Sequence, residues 1–155
     1  MPTYRVRPAT LGDADALVHH RIAMFTDMGV ALDAATLDHA FRSWLGRVMP
    51  EGIYRGWLAE TDTGDIVAGG AITIIPWPPG PRYLGDRAGF VYNVYTEPAH
   101  RGRGLARRLM TAIHDWCRVE GVSSLALNAS HAGEPLYASM GYTVATSPMM
   151  FLALS

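Results

Sequence analysis

The chain holds a single cysteine, Cys117, so it has no internal disulfide and no thiol pair for redox or zinc chemistry. Cys117 follows Trp116 and comes four residues after Ile113, the spacing of a packed helix face rather than of a reactive thiol. A reducing, cytoplasmic compartment is expected. An excess of one charge is lacking as well. With 13 basic and 14 acidic side chains the formal charge is −1, so the overall field gives no reason to expect nucleic acid or an anionic membrane as partner, and any anion site must be local. No apolar run reaches membrane-spanning length, and the N-terminus carries Arg5, Arg7 and Asp13 in place of a signal-peptide core. The 6 histidines occur without the cysteine or carboxylate spacing of a metal site, so no metal is expected.

What is present suits one compact domain over residues 1–155: 49% of the chain is hydrophobic and 17% charged, enough to bury a real core. Tyr4 to Pro8 alternates as a short strand, and Asp13 is placed to cap a helix running toward Phe25 with Leu17, Val18, Ile22 and Phe25 inside. A second helix is expected over Ala34 to Val48, with Leu37, Phe41, Trp44, Leu45 and Val48 on one side. Gly56–Glu60 and a strand from Ile66 to Ile75 read as a hairpin, with Gly69-Gly70 marking a bulge. The proline-rich stretch from Pro76 to Pro81 is a loop, and a strand follows up to Thr96. A helix from Gly104 to Glu120 ends at Gly121, then come a strand over Ser124 to Asn128 and a short helix over Glu134 to Met140. One or two closing strands are expected over Tyr142 to Leu154.

The run from Pro98 to Ala106 says most about function. It sets Gly102 and Gly104, with Arg101 and Arg103, between a strand rich in β-branched and aromatic residues and a strongly patterned helix. At such a helix start the first amides lack intrahelical partners and the macrodipole is positive, so an anion such as a pyrophosphate can accept their N–H bonds where the glycines leave room. The spacing Arg101-x-x-Gly104-x-Ala106 resembles the Gln/Arg-x-x-Gly-x-Gly/Ala signature of the GNAT superfamily of N-acetyltransferases, which use acetyl-CoA. Leu136-Tyr137-Ala138-Ser139-Met140-Gly141-Tyr142 is similar to the family's Leu-Tyr-x-x-x-Gly-Phe motif, with Tyr142 in place of Phe. The opening Tyr4-Arg5-Val6-Arg7-Pro8-Ala9-Thr10 extends the likeness over nearly the whole chain.

The resemblance implies a mixed α/β sheet, splayed at its centre, with helices on both faces, and acetyl-CoA as cosubstrate. Val94, Tyr95 and Thr96 would serve the pantetheine arm, and Arg101, Gly102, Arg103, Gly104, Leu105, Ala106 and Arg107 the pyrophosphate. Arg103, Arg107 and Arg108 are read as projecting from the first turns of the helix, Arg103 and Arg107 on a shared face, as phosphate partners or as solvated surface charges. Asn128 either binds cofactor or substrate or ends a strand; Ser130 either caps the next helix or touches the cofactor. Tyr137 is the candidate catalytic residue, protonating the departing thiolate, against the alternative of a packed core tyrosine.

The strand from Gly89 to Thr96 carries no carboxylate and no histidine, although many relatives place a glutamate there. Either water held by Asn93, Tyr92 or a backbone carbonyl removes the amine proton, or a loop acid such as Glu51 reaches in; Glu97 at the turn reads as solvated. His114 and His39 are read at solvent-type positions. Met24, Phe25, Met28, Trp77, Tyr83 and Tyr92 either line an acceptor pocket or belong to the core, with Phe25, Met28, Tyr92 and Asn93 the substrate-binding candidates. The expected activity is acetyl transfer to the amine of a small molecule or peptide; a non-catalytic acyl-CoA-binding module of the same fold is the alternative. The Arg-Gly-Arg-Gly run as a nucleic-acid contact lacks the wider basic surface and interleaved exposed aromatics of that class. A monomer and a homodimer both fit this composition.

Overall fold

The computed structural model describes residues 2–155. Strand β1 (Tyr4–Pro8) leads through a 3-10 turn at Leu11–Asp13 into α1 (Ala14–Asp27), followed by α2 (Ala34–Val48), β2 (Tyr54–Thr61), β3 (Ile66–Pro76) and β4 (Arg87–Thr96). A second 3-10 turn at Pro98–His100 precedes α3 (Leu105–Glu120), β5 (Leu125–Ala126) and α4 (Glu134–Ser139). The strands lie in the order β1-β2-β3-β4-β5, with β4 and β5 parallel and the other pairs antiparallel.

Period-two alternation along β2 divides the core. Tyr54 and Leu58 face α1 and α2, joining Leu17, Val18, Phe41, Leu45, Val48 and Ala71. Trp57 and Ala59 face the other way, onto Leu105, Leu109, Met110, Ile113 and Cys117 of α3. The α3 pattern buries one stripe and ends where Gly121 adopts φ 72°, a left-handed cap that L residues resist. Asp33 caps α2, accepting from the Thr36 amide at 3.0 Å.

Four expectations are corrected by the fold. Asp13 does not cap α1: its carboxylate accepts from the Thr10 amide at 2.8 Å and pairs with Arg7 at 2.9 Å. That hydrogen-bonded arginine holds the Asp13 carboxyl below its ordinary range. The bulge lies opposite the Gly69-Gly70 pair rather than in it. Gly69 pairs with Tyr95 and Ala71 with Tyr92, so the extra residue belongs to β4, where Asn93 takes φ 54°. Strand β5 is confined to Leu125–Ala126, because the chain parts from β4 directly afterwards. The expected closing strands over Tyr142 to Leu154 are absent: β5 is too short to offer a ladder, Pro148 lacks a donor, and Met150 and Phe151 are 90% and 92% exposed.

Gly89 shows why the sheet centre needs glycine. A Cβ there would lie 2.4 Å from Ile72 Cδ1 and 2.8 Å from Leu125 Cδ2, so the close approach of β3, β4 and β5 at this point excludes a side chain.

Candidate acyl-CoA site

The β4 strand pairs with β5 only through Gly89 with Leu125 and Phe90 with Ala126. From Val91 to Thr96 it has no partner on that side among the described residues, which leaves backbone donors and acceptors facing the gap between the parted strands. Val94 and Thr96 lie in this unpaired stretch, and Tyr95 is 8% exposed with its ring against His20.

Beyond Thr96 the chain turns through Pro98–His100 and enters α3 by way of two glycines in the left-handed region, Gly102 at φ 74° and Gly104 at φ 75°. A Cβ at either would meet nothing within 4 Å, so the turn faces open space. The Arg101 amide bonds Pro98 O at 3.4 Å and the Arg108 amide bonds Gly104 O at 3.1 Å. Between them, the consecutive N–H groups of Gly102, Arg103, Gly104, Leu105, Ala106 and Arg107 donate to nothing among the described residues, and no side chain caps the helix. Leu105 itself is buried at 2% and pins the first turn to the sheet. Open amides at the positive end of a helix form a cradle suited to accept an anion.

The arginines divide by partner. The Arg101 guanidinium is turned back: Nε donates to Thr96 O at 2.8 Å and Nη2 to Asp27 at 2.6 Å, so its side chain braces the turn. Arg107 donates to Ser139 Oγ of α4 at 2.6 Å, and Arg108 to Tyr4 O at 3.0 Å. Arg103 has no side-chain partner among the described residues and precedes α3, so the helical face expected for Arg103 and Arg107 does not exist.

Tyr137, on α4, is 9% exposed and packs with the α3 core, its ring 5.8 Å from that of Tyr142. Its hydroxyl makes no hydrogen bond among the described residues, and burial pushes its pKa up, which keeps the phenol protonated at neutral pH. Ser130 turns the chain into α4, its Oγ accepting from the Gly133 amide at 3.1 Å. Asn128 is exposed and lies beyond β5.

On the α1 side of β4, Asn93 is 2% exposed and makes three side-chain hydrogen bonds. Its Oδ1 accepts from Arg21 at 3.0 Å, and its Nδ2 donates to Leu17 O at 3.3 Å and to Tyr54 Oη at 3.4 Å. These bonds stabilise the bulge and use both amide N–H groups and one of the two Oδ1 lone pairs. Tyr92 is exposed and stacks with Phe90 at 6.3 Å, and Phe90 meets Trp77 at 6.2 Å. Tyr83 departs from this row: it lines a cleft of about 320 Å³ on the α3 side with His114, Cys117 and Tyr142. Met28 is exposed where α1 ends, and Phe25 packs on Arg21. A cleft of about 290 Å³ lined by Ala9, Tyr54, Trp57 and Trp116 lies apart from the cradle.

Long-range partners invisible in the sequence also emerge. Glu97 is bonded to His19 at 2.5 Å rather than free in solvent, and His114 is part-buried on the Tyr142 hydroxyl at 2.7 Å. Burial pushes the Cys117 thiol up to about 11, which makes it inert. Among the described residues no cluster of histidine, cysteine, aspartate and glutamate could hold a metal, and no helix is long and apolar enough to cross a membrane.

Comparison with known proteins bears on this arrangement. The family model for the GNAT acetyltransferases matches residues 17–142. A GCN5-related N-acetyltransferase from Ralstonia eutropha is 34% identical with a TM-score of 0.87, over 97% of this chain and 99% of that one. A predicted acetyltransferase from Clostridium acetobutylicum, solved with acetyl-CoA, is 25% identical with a TM-score of 0.87, over 97% and 96% of the two chains. Glucosamine-6-phosphate N-acetyltransferase from Arabidopsis thaliana, 20% identical over 99% of each chain with a TM-score of 0.75, shares the fold. No curated protein matches. Cradle, parted strands and matched family agree: the chain belongs to the GNAT family of acetyltransferases.

Proposed function

We propose that this protein transfers the acetyl group of acetyl-CoA directly to an amine of a small molecule or peptide. The observation that carries the reading is the run of unpartnered amides from Gly102 to Arg107 beside the unpaired stretch of β4. The amides bind the pyrophosphate, and Arg103 supplies a side-chain fork to a phosphate. The Val94 to Thr96 backbone orients the pantetheine amides, with Asn128 and Ser130 at the opposite rim.

The thioester supplies an activated acyl carbon when bound. Amine attack forms the amide bond and breaks the C–S bond, and the Tyr137 hydroxyl donates a proton to the leaving sulfur. Because β4 lacks a carboxylate and a histidine, the amine proton leaves through water held at Tyr92 and the unpaired β4 carbonyls. All 13 basic residues are arginine, so no lysine of this chain competes as acceptor.

The same lack of a base on β4 favours one second reading, a non-catalytic acyl-CoA-binding module. Two measurements together separate the readings: calorimetry with acetyl-CoA, and thiol release from acetyl-CoA across a panel of amines. Transfer requires binding and amine-dependent thiol release; binding alone selects the module, and absence of binding refutes both.

A further inference from the structure

Arg21 is a half-buried cation without a counter-ion. Its guanidinium lies 5.0 Å from the Phe25 ring centroid and 5.0 Å from that of Phe41, held between two aromatic faces. Its one hydrogen bond runs from Nη1 to Asn93 Oδ1 at 3.0 Å, and no carboxylate pairs with it among the described residues. Burial lowers its pKa, opposed only by the Tyr54 and Tyr92 phenols. The other arginines set in carboxylate pairs show the contrast: Arg7 is shared by Asp13 and Glu60, and Arg42 by Asp15 and Asp38.

Half-buried between two rings, with one hydrogen bond and no carboxylate, the cation keeps most of its planar fork open to solvent or to a ligand. Cation–π contacts on two faces fix the plane of the guanidinium but use none of its N–H groups. The free donors lie beside the Asn93 bulge, on the face of β4 that carries Tyr92, where the strand begins to part from β5.

Resting on the acetyltransferase reading above, we propose that Arg21 binds an anionic group of the acceptor, so that the substrate is an amine that also bears a carboxylate or phosphate. The fork accepts either group with two parallel hydrogen bonds. With the anion held at Arg21 beside the bulge, the amine of a short acceptor is directed along β4 toward the gap. Tyr92, with Phe90 stacked on it and Trp77 tilted against Phe90, forms an aromatic wall for the acceptor's apolar part.

The test compares matched acceptors with and without the anion: phenylalanine against phenethylamine, glycine against ethylamine, and O-phosphoethanolamine against propylamine. Thiol release from acetyl-CoA is measured with the wild type, Arg21→Gln and Arg21→Lys. In the wild type the anionic member of at least one pair should lead by about 30-fold in kcat/KM, the worth of a charge-assisted bidentate contact. Which pair leads identifies carboxylate or phosphate. Arg21→Gln should collapse that ratio to near one through KM, and Arg21→Lys should retain part of it. Equal rates within every wild-type pair, or a ratio that survives in Arg21→Gln, overturn the proposal; should Arg21→Gln not fold by circular dichroism, an undiminished ratio in Arg21→Lys overturns it.

If no amine releases thiol, the transferase reading fails, and Arg21 is then read by thermal shift with N-acetylphenylalanine, N-acetyl-O-phosphoethanolamine and N-acetylphenethylamine. Stabilisation by an anionic probe but not the neutral one, lost in a folded Arg21 variant, supports the anion site. No such difference overturns it.

Discussion

Arg101 Nε donates to the Thr96 carbonyl oxygen at 2.8 Å, tying the last residue of β4 to the residue that opens the glycine turn. The same side chain reaches Asp27 at the end of α1 and lies 5.5 Å from the Tyr95 ring centroid. The motif arginine therefore positions the cradle from behind while backbone amides face the open side. Partly exposed ion pairs contribute little to stability by themselves, so the worth of this contact lies in the shape it gives the turn.

The shape of the turn can be tested at Gly104. At φ 75° an L residue is strained by about 1–2 kcal/mol, and a β-branched side chain also projects into the open space above the amides. Gly104→Val should weaken acetyl-CoA binding by about 1–3 kcal/mol and lower Tm modestly, whereas Gly104→Ala reports the strain with less bulk. Equal acetyl-CoA affinity for wild type and Gly104→Val in calorimetry would sink the cradle.

Arg103 and Arg107 should behave differently. Arg103→Ala is expected to weaken CoA binding by about tenfold while sparing phosphate-free pantetheine, because its fork is free for a phosphate. Arg107→Ala breaks the 2.6 Å bond to Ser139 Oγ and should show instead as loosened α4, read by hydrogen exchange. Equal losses for CoA and pantetheine in Arg103→Ala would assign that arginine another role.

Tyr137→Phe removes the hydroxyl and keeps the buried ring. If the phenol protonates the leaving thiolate, turnover should fall by about 10²-fold with acetyl-CoA affinity nearly unchanged. A packing role predicts normal turnover per folded molecule with Tm little changed, since the ring stays and the hydroxyl has no hydrogen-bond partner among the described residues. Both quantities should be measured on one preparation.

His20 predicts a pH-dependent stability. The imidazole is 1% exposed, neither ring nitrogen has a hydrogen-bond partner among the described residues, and Gly69 is close enough that a Cβ there would lie 2.8 Å from Nδ1. Burial, reinforced by His19 and opposed by Glu97, pushes its pKa from 6.5 down to about 4. The unfolded chain binds the proton more readily, so this contribution is complete above about pH 6.5, declines as pH falls, and is exhausted near pH 4. The full swing is on the order of 3 kcal/mol. His20→Leu should flatten the fall in Tm between pH 7 and pH 5. An equally steep fall in that variant would place the titrating group elsewhere.

The elements that carried strong periodicity were legible in the chain: α2 begins and ends where Leu37, Phe41, Trp44, Leu45 and Val48 require, and α3 stops at Gly121. The glycine turn was legible too, since a bare backbone adopts φ 74° and 75° between a strand and a helix without the strain an L side chain meets there. Family membership followed from those local signals because both motifs are short stretches of contiguous sequence.

Pairings across long separations were decided by the tertiary structure. Nothing near Arg21 in sequence announces Asn93, and nothing near Glu97 announces His19; each contact exists because α1 packs against β4. The extra residue of the bulge likewise fell on β4 rather than at Gly69-Gly70, because register is a relation between strands and not a property of either one. The sequence by itself determined the strongly patterned helices, the strands β1 to β4 and the glycine turn before α3, through local propensity and backbone conformation, but not the short β5 or the strandless stretch after Tyr142. Only tertiary packing decided which arginine would be braced, which shared and which left with an open fork: α1 against β4 for Arg101 and Arg21, β1 against β2 for Arg7, and α1 against α2 for Arg42, because burial and partner supply arise from residues distant along the chain.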